Sequence, residues 1–221
     1  MQPQSHLDQC RNNMVEQQVR PWDVLNDRVL TILNSIPRDQ FVPAQYTGLS
    51  YADTAIPLNA TQNMMHPIIE GRILQLLDIQ PEDNVLEIGT GSGYLTACMA
   101  SLARNVDSIE IDSVLAKQAA ETLSAQGITN VNLSCGNGLK IINIFKTYDI
   151  VVLTGAINEL PQFLKDALTN HGKMFMVDGT APAMVAHIIS RQGLREWSDE
   201  SIFETVLSPL VHGETEPEFK F

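Results

Sequence analysis

Val85-Leu86-Glu87-Ile88-Gly89-Thr90-Gly91-Ser92-Gly93-Tyr94 is the stretch on which the fold reading turns. An apolar run of strand length (85–88) meets three alternating glycines, and a helix-length segment (94–102) follows. The same rhythm continues downstream. Residues 106–111 read as a strand, and Ser113 is expected to cap a helix that reaches about Gln126 and ends at Gly127. Residues 131–133 read as a third strand, and 148–153 as a fourth, nearly all apolar as a central parallel strand should be. A helix over 160–168 and a fifth strand over 173–177 complete the alternation, which predicts a doubly wound, mostly parallel α/β sheet. Residues 185–189 and 202–207 are two further strands, expected as an antiparallel edge.

Upstream, the first 80 residues read as mostly helical. Ser5 with Asp8 three positions on is a weak capping box, opening a helix through Met14, Val15 and Gln18 that Pro21 stops. Asn26 is expected to cap a second helix with Val29, Leu30 and Leu33 on one face and Pro37 behind it. Residues 43–61 look like loop. Pro67 suits the first turn of a helix carrying Ile69, Ile73, Leu76 and Leu77. A length of 221 residues is long for one domain and short for two. The expected organisation is one folding unit, with an N-terminal helical extension over 1–80 and the ligand-binding core over 81–221.

Composition narrows the function classes. Asp and Glu number 26 against 14 Lys and Arg, a net charge of −12, which opposes binding to nucleic acid or to an anionic membrane surface. No apolar stretch approaches the length of a membrane span. Cys10, Cys98 and Cys135 form no C-x-x-C, so neither a disulfide framework nor a cysteine metal site is expected, and the reducing cytoplasm is the expected compartment. The N-terminal residues are polar and lack the apolar run of a signal peptide. Cys98, behind the glycine loop, reads as a small buried hydrophobe rather than a nucleophile.

The glycine loop follows a strand and opens a helix, where open α/β sheets bind ligands. The spacing decides which ligand. A dinucleotide fingerprint, G-x-G-x-x-G/A, fails because Tyr94 stands third when counted from Gly89, and the phosphate loop G-x-x-x-x-G-K-[ST] is absent. What stands here is E-x-G-x-G-x-G. Glu87 would repel a pyrophosphate and suits a cationic ligand. Glu110 lies 23 residues after Glu87 at the end of the next strand, where an acid can accept from both ribose hydroxyls. Asn137, between Gly136 and Gly138 after the third strand, is placed to meet an adenine amino group. A ligand with a ribose, no phosphate and a positive centre is S-adenosyl-L-methionine. Gly89, Thr90, Gly91, Ser92, Gly93, Ile111, Gly138 and Thr154, just past the fourth strand, join Glu87, Glu110 and Asn137 as the expected cofactor site; Thr154 reads equally as a plain strand-end turn.

On these residues the chain resembles the class I S-adenosylmethionine-dependent methyltransferases. Further motifs follow in order: Met14-Val15-Glu-Gln-Gln18, Arg28-Val-Leu30, Ile36-Pro-Arg38-Asp-Gln-Phe41-Val-Pro43, Tyr51-Ala-Asp53, Thr61-Gln62 and Pro67. With the glycine loop they resemble the protein-L-isoaspartate O-methyltransferase family over roughly residues 10–180, the P-R-x-x-F-V-P run being the distinctive part. The resemblance implies a Rossmann-like seven-stranded methyltransferase sheet, and methyl transfer to the carboxylate of isoaspartyl residues in damaged proteins or peptides. It implies neither a nucleic-acid partner nor a metal, and it leaves the oligomeric state open.

The acceptor side departs from the family pattern. The family usually reads T-I-S-Q-P before the helix; here Asn63-Met64-Met65-His66-Pro67 places Met65 at the serine and His66 beside it. Asn137 stands for the usual aspartate, and the glutamine usual after the fifth strand has no clear counterpart in residues 178–184. Asp53, Met65 and His66 are the acceptor-side candidates. Asp53 also reads as a local Asx turn, Met65 as ordinary core and His66 as a helix-start residue. Two alternatives stay open: the same cofactor with a different acceptor, and a protein that binds the cofactor without catalysis.

Overall fold

The structure, a computed structural model, describes residues 6–140 and 146–213. The cap expected at Ser5 and the acidic tail Glu214, Glu216 and Glu218 lie outside these residues.

The chain opens with α1 (His6–Asn13), which widens into a π-helical turn over Met14–Val19 and tightens into a 3-10 turn over Arg20–Trp22. The single helix expected up to Pro21 is therefore broken into three pitches. The wide turn, with Arg20 N–H donating to the Val15 carbonyl, lets Met14, Val15 and Val19 all enter the core. Helix α2 (Asp27–Ser35) starts where expected: the Asn26 side chain accepts from Arg28 N–H, and Val29, Leu30 and Leu33 are buried. It stops at Ile36, extended as the residue before a proline prefers. The region expected as loop holds a 3-10 segment, Ala44–Leu49, and a short ribbon of β1 (Ile56–Pro57) against β2 (Asn63–Met64). Helix α3 (Pro67–Leu77) carries proline in its first turn.

The core follows as β3 (Asn84–Ile88), α4 (Tyr94–Ala100), β4 (Asn105–Glu110), α5 (Ser113–Ala125), β5 (Val131–Cys135), β6 (Tyr148–Ala156), α6 (Gln162–Asp166), β7 (Leu168–Thr180), β8 (Ala183–Gly193) and β9 (Glu196–Thr205). One seven-stranded sheet results, in the order β5-β4-β3-β6-β7-β8-β9, parallel up to β7 and antiparallel for the last two. Two local expectations are corrected. Asp112, not Ser113, caps α5, because its carboxylate reaches both Val114 N–H and Leu115 N–H. Helix α6 is shorter than 160–168, because β7 begins at Leu168 and bends through His171, at φ 68°, and Gly172 before resuming beside β6.

Side chains alternate across the pleat. Val85, Ile150, Val152 and Phe175 face one core with α3 and α4, while Leu86, Val151, Leu153 and Met174 face a second with Leu164 of α6. Strand β3 lies between β4 and β6, so the chain leaves it in opposite directions on either side. The carboxyl ends of β3 and β6 are thus the point where the strand order reverses, and the crevice opens there.

Candidate active site

A cavity of about 710 Å³ opens over these strand ends, within the usual range for small-molecule sites. The glycine loop forms one wall. Gly89 has φ +95°, and a side chain there would strike the Thr154 hydroxyl. Thr154 donates to the carbonyls of Ile88 (3.0 Å) and Gly89 (2.6 Å), so it ties β6 to the turn. Glu110 holds the loop from the other side: one oxygen accepts from Gly91 N–H at 2.8 Å and the other from Asp112 N–H at 2.9 Å. Asn137 Oδ1 accepts from Leu139 N–H at 2.9 Å and fixes the turn after β5. At Gly138 an added Cβ would lie 2.8 Å from Ile88 Cγ2, so only glycine lets that turn close over β3.

Beneath the loop Glu87 is fully buried. Its Oε2 accepts from Thr96 Oγ1 (2.5 Å) and Ser108 Oγ (2.6 Å), and Ser108 is bonded in turn to Thr90. Its Oε1 is buried with no hydrogen-bond partner among the described residues. Burial pushes the carboxyl up to about 8 against the two hydroxyl donors, with Glu110 adding to the rise. A buried acid with one oxygen unanswered, on the wall of a cavity, is suited to a positive group. The site therefore fits the cofactor read from the sequence. Glu87 would face its cationic part, Glu110 its ribose hydroxyls and Asn137 its base.

The acceptor side comes from the N-terminal segment. Met65 and His66 line the cavity. Fully buried Arg38 anchors them: its Nη2 donates to the Met65 carbonyl at 2.7 Å and its Nη1 to Glu70, itself 2% exposed. Burial pushes Glu70 up to about 7 while Arg38 pulls it down. Residues 58–63 and 206–211 form a roof, joined where Gln62 Nε2 donates to the Pro209 carbonyl (3.4 Å) and Asn63 Nδ2 to Ser208 Oγ (3.0 Å).

Of the residues expected at the site, Glu87, Gly89, Thr90, Gly91, Ser92, Glu110, Ile111, Asn137, Gly138, Thr154, Met65 and His66 line this one cavity. Two do not. Gly93 (φ +84°) caps α4 and packs toward Ala119 and Leu123 of α5. Asp53 stands back from the lining, its Oδ1 3.5 Å from His66 Nδ1. Sequence reasoning missed Thr96 and Ser108, which hold Glu87, and the Arg38–Glu70 pair. Arg38 was visible only as a motif letter, with no cue to its burial. Among the described residues no cluster of three or more His, Cys, Asp or Glu could hold a metal, and no helix is long and apolar enough to cross a membrane.

The model of the protein-L-isoaspartate(D-aspartate) O-methyltransferase family matches residues 9–215. A protein-L-isoaspartate O-methyltransferase of Aliivibrio fischeri is 33% identical over 204 residues, covering 92% of this chain and 97% of that one. One of Methanoregula boonei is 34% identical over 201 residues, covering 91% and 92%. The fold is shared with a Plasmodium falciparum chain described as a protein-L-isoaspartate O-methyltransferase and crystallised with S-adenosyl-L-homocysteine. The two superpose with a TM-score of 0.79 at 18% identity, over 91% of this chain and 98% of that one. A family model spanning nearly the whole chain, two relatives aligned end to end and a cavity built from the same motifs agree: this chain belongs to the protein-L-isoaspartate O-methyltransferase family.

Proposed function

We infer that the chain is an S-adenosyl-L-methionine-dependent methyltransferase that esterifies the carboxylate of isoaspartyl residues in proteins and peptides, working in the cytoplasm. The observation that carries the reading, beside family membership, is the cavity itself. It joins the glycine loop and Glu87, one buried oxygen of which has no partner among the described residues, to a wall from residues 62–66, the family's acceptor segment.

When bound, the cofactor supplies a methyl group activated by its sulfonium. The protein's part is placement. Glu110 fixes the backbone that would meet the sugar, and Thr154 fixes the bend of the loop at β6. Arg38 fixes the carbonyl of Met65, so the acceptor wall is held from behind. A carboxylate acceptor ionises near pH 4 and is already nucleophilic at neutral pH, so no residue has to remove a proton. Holding two reactants in register can lower a barrier by about 7–11 kcal/mol. That is the kind of assistance a site built of rigid turns provides.

The test uses radiolabelled cofactor with an isoaspartyl peptide beside its aspartyl twin. Base-labile methyl ester on the isoaspartyl peptide alone is the expected result. Labelling of neither, with cofactor still bound, would refute the substrate and favour a different acceptor. Buried Met65, in place of a hydroxyl on the cavity wall, is the observation behind that second reading.

A further inference from the structure

The acceptor side is short of positive charge. Among the described residues that line the cavity, Glu70, Glu87, Glu110 and Asp112 are acids, and neither lysine nor arginine is present. The chain as a whole carries −12. An anionic acceptor entering this cavity meets no lysine or arginine on its wall, and Met65 offers it no hydrogen-bond donor. His66 is the one lining side chain, among those described, able to become a cation.

Its setting is built for holding something other than the helix it opens. His66 occupies the N-cap of α3 with extended backbone (φ −62°, ψ 140°), yet its ring makes no capping hydrogen bond. Its carbonyl accepts from Ile69 N–H and Glu70 N–H at 3.0 and 3.1 Å, so the helix uses the backbone of His66 and not its ring. The residues on either side are fixed too: Met65 by Arg38, and Pro67 by its own ring. Asp53 Oδ1 stands 3.5 Å from Nδ1, which leaves Nε2 as the ring's second donor. The ring is 40% exposed, reachable from solvent and from the cavity.

We propose that His66, oriented by Asp53, is the anchor for the acceptor carboxylate, donating from its imidazolium the hydrogen bond and positive charge that the rest of the wall lacks. The inference rests on the reading of the acceptor as a carboxylate and names the residue that recognises it. The anchored oxygen stays in register with the cofactor, and the other oxygen is free to take the methyl group. No proton is transferred, so His66 is a binding residue and not a base.

The roles of anchor and base differ in the sign of their pH dependence. An anchor works as the cation, so 1/KM for the peptide falls as pH rises. A base acting on a neutral acceptor works as free imidazole, so kcat rises over the same range. Other groups titrate nearby. Glu70 and Glu87 line the same cavity, Glu110 and Asp112 lie across it, and Asp53 faces the ring. The assignment therefore needs variants.

The experiment measures KM and kcat for an isoaspartyl peptide between pH 5.5 and 9, in the wild type, H66A, H66Q and D53N. S-adenosylhomocysteine binding by calorimetry serves as the check of folding and of the cofactor half. The expected result is a KM raised about tenfold or more in H66A at pH 6.5, as loss of a charged hydrogen-bond partner implies, with S-adenosylhomocysteine affinity little changed. H66Q, a neutral donor, loses the alkaline limb that the wild type shows, and D53N, which removes the carboxylate facing the ring, raises the peptide KM in the same direction as H66A. Imidazole NMR of the wild type with S-adenosylhomocysteine present shows the His66 midpoint rising when the peptide binds. An unchanged KM in H66A, the same alkaline limb in H66Q, or an NMR midpoint that ignores the peptide overturns the role of His66 and leaves the substrate reading standing. A wild type that binds S-adenosylhomocysteine but neither binds nor methylates the peptide overturns the substrate reading, and this inference with it.

Discussion

Replacing Glu70 by alanine strips the counter-charge from a guanidinium that water does not reach. Arg38 is 0% exposed and Glu70 2%. The Met65 carbonyl, 2.7 Å from Nη2, would remain, but Nε already lacks a partner. An arginine keeps its charge when buried. Removing one member of a buried pair usually costs about 3–5 kcal/mol, a large part of the ~5–15 kcal/mol that holds a domain folded. For a chain of this size each kcal/mol lowers Tm by about 2–4 °C, so E70A should melt roughly 6–20 °C below the wild type. Urea denaturation followed by circular dichroism, beside a thermal scan, measures it. A double-mutant cycle adds E70L and R38M as the single variants and R38M/E70L as the double. The double variant buries no ion and should recover most of the loss, because well-packed apolar replacements of buried pairs are often neutral. A loss in E70A below ~1 kcal/mol, or a double variant no better than the sum of the singles, would refute the claim that the charge of Arg38 depends on Glu70.

Glu87 gives a pH prediction. Its carboxyl is raised from 4.5 to about 8 by burial, so the native state holds a proton there that the unfolded chain has lost. Its contribution to stability is full below about pH 4.5 and is lost as pH rises to about 8; E87Q should flatten that part of the urea-midpoint profile, and parallel profiles would refute it. E110A should weaken S-adenosylhomocysteine binding by about 10- to 150-fold in calorimetry, the usual effect of losing a charged hydrogen-bond partner; unchanged affinity would mean the pocket is misassigned. M65S should raise kcat/KM for the isoaspartyl peptide by restoring a hydroxyl to the wall, and an unchanged rate would show that the thioether is not what limits this acceptor. A thiol reagent should label exposed Cys135 quickly and buried Cys98, whose thiol burial pushes far up, only on unfolding; early labelling of Cys98 would place it outside the core.

The cofactor half was legible because its signals are local. Gly89, Gly91, Glu110 and Asn137 sit at the ends of strands that their own apolar runs announce, and the turn geometry they need is written in the residue type. The strand ends β3 to β6 came out within a few residues for the same reason. What escaped the reading depends on meetings across the chain. Ser108 looks like any polar residue on an alternating strand until β4 lies beside β3 and brings it under Glu87. Arg38 looks like a surface cation until α3 brings Glu70 against it. The overlong helix at 160–168 reflects apolar residues that serve equally in β7, whose partner β6 decides the matter. His66 read both as an acceptor-side candidate and as a helix opener; that it is the one basic side chain on a cavity wall without lysine or arginine, among the described residues, is a fact of tertiary structure.

The two halves of the roof come from opposite ends of the polypeptide: Gln62 meets Pro209, and Asn63 meets Ser208. A chain emerging from the ribosome folds from its N-terminus as it lengthens. This one has every strand of its sheet in hand by Thr205, while the wall from Val206 to Val211 is still missing. The cavity is therefore covered late, and a copy cleaved between Thr205 and Val206 keeps every strand of its sheet while one half of that cover is gone.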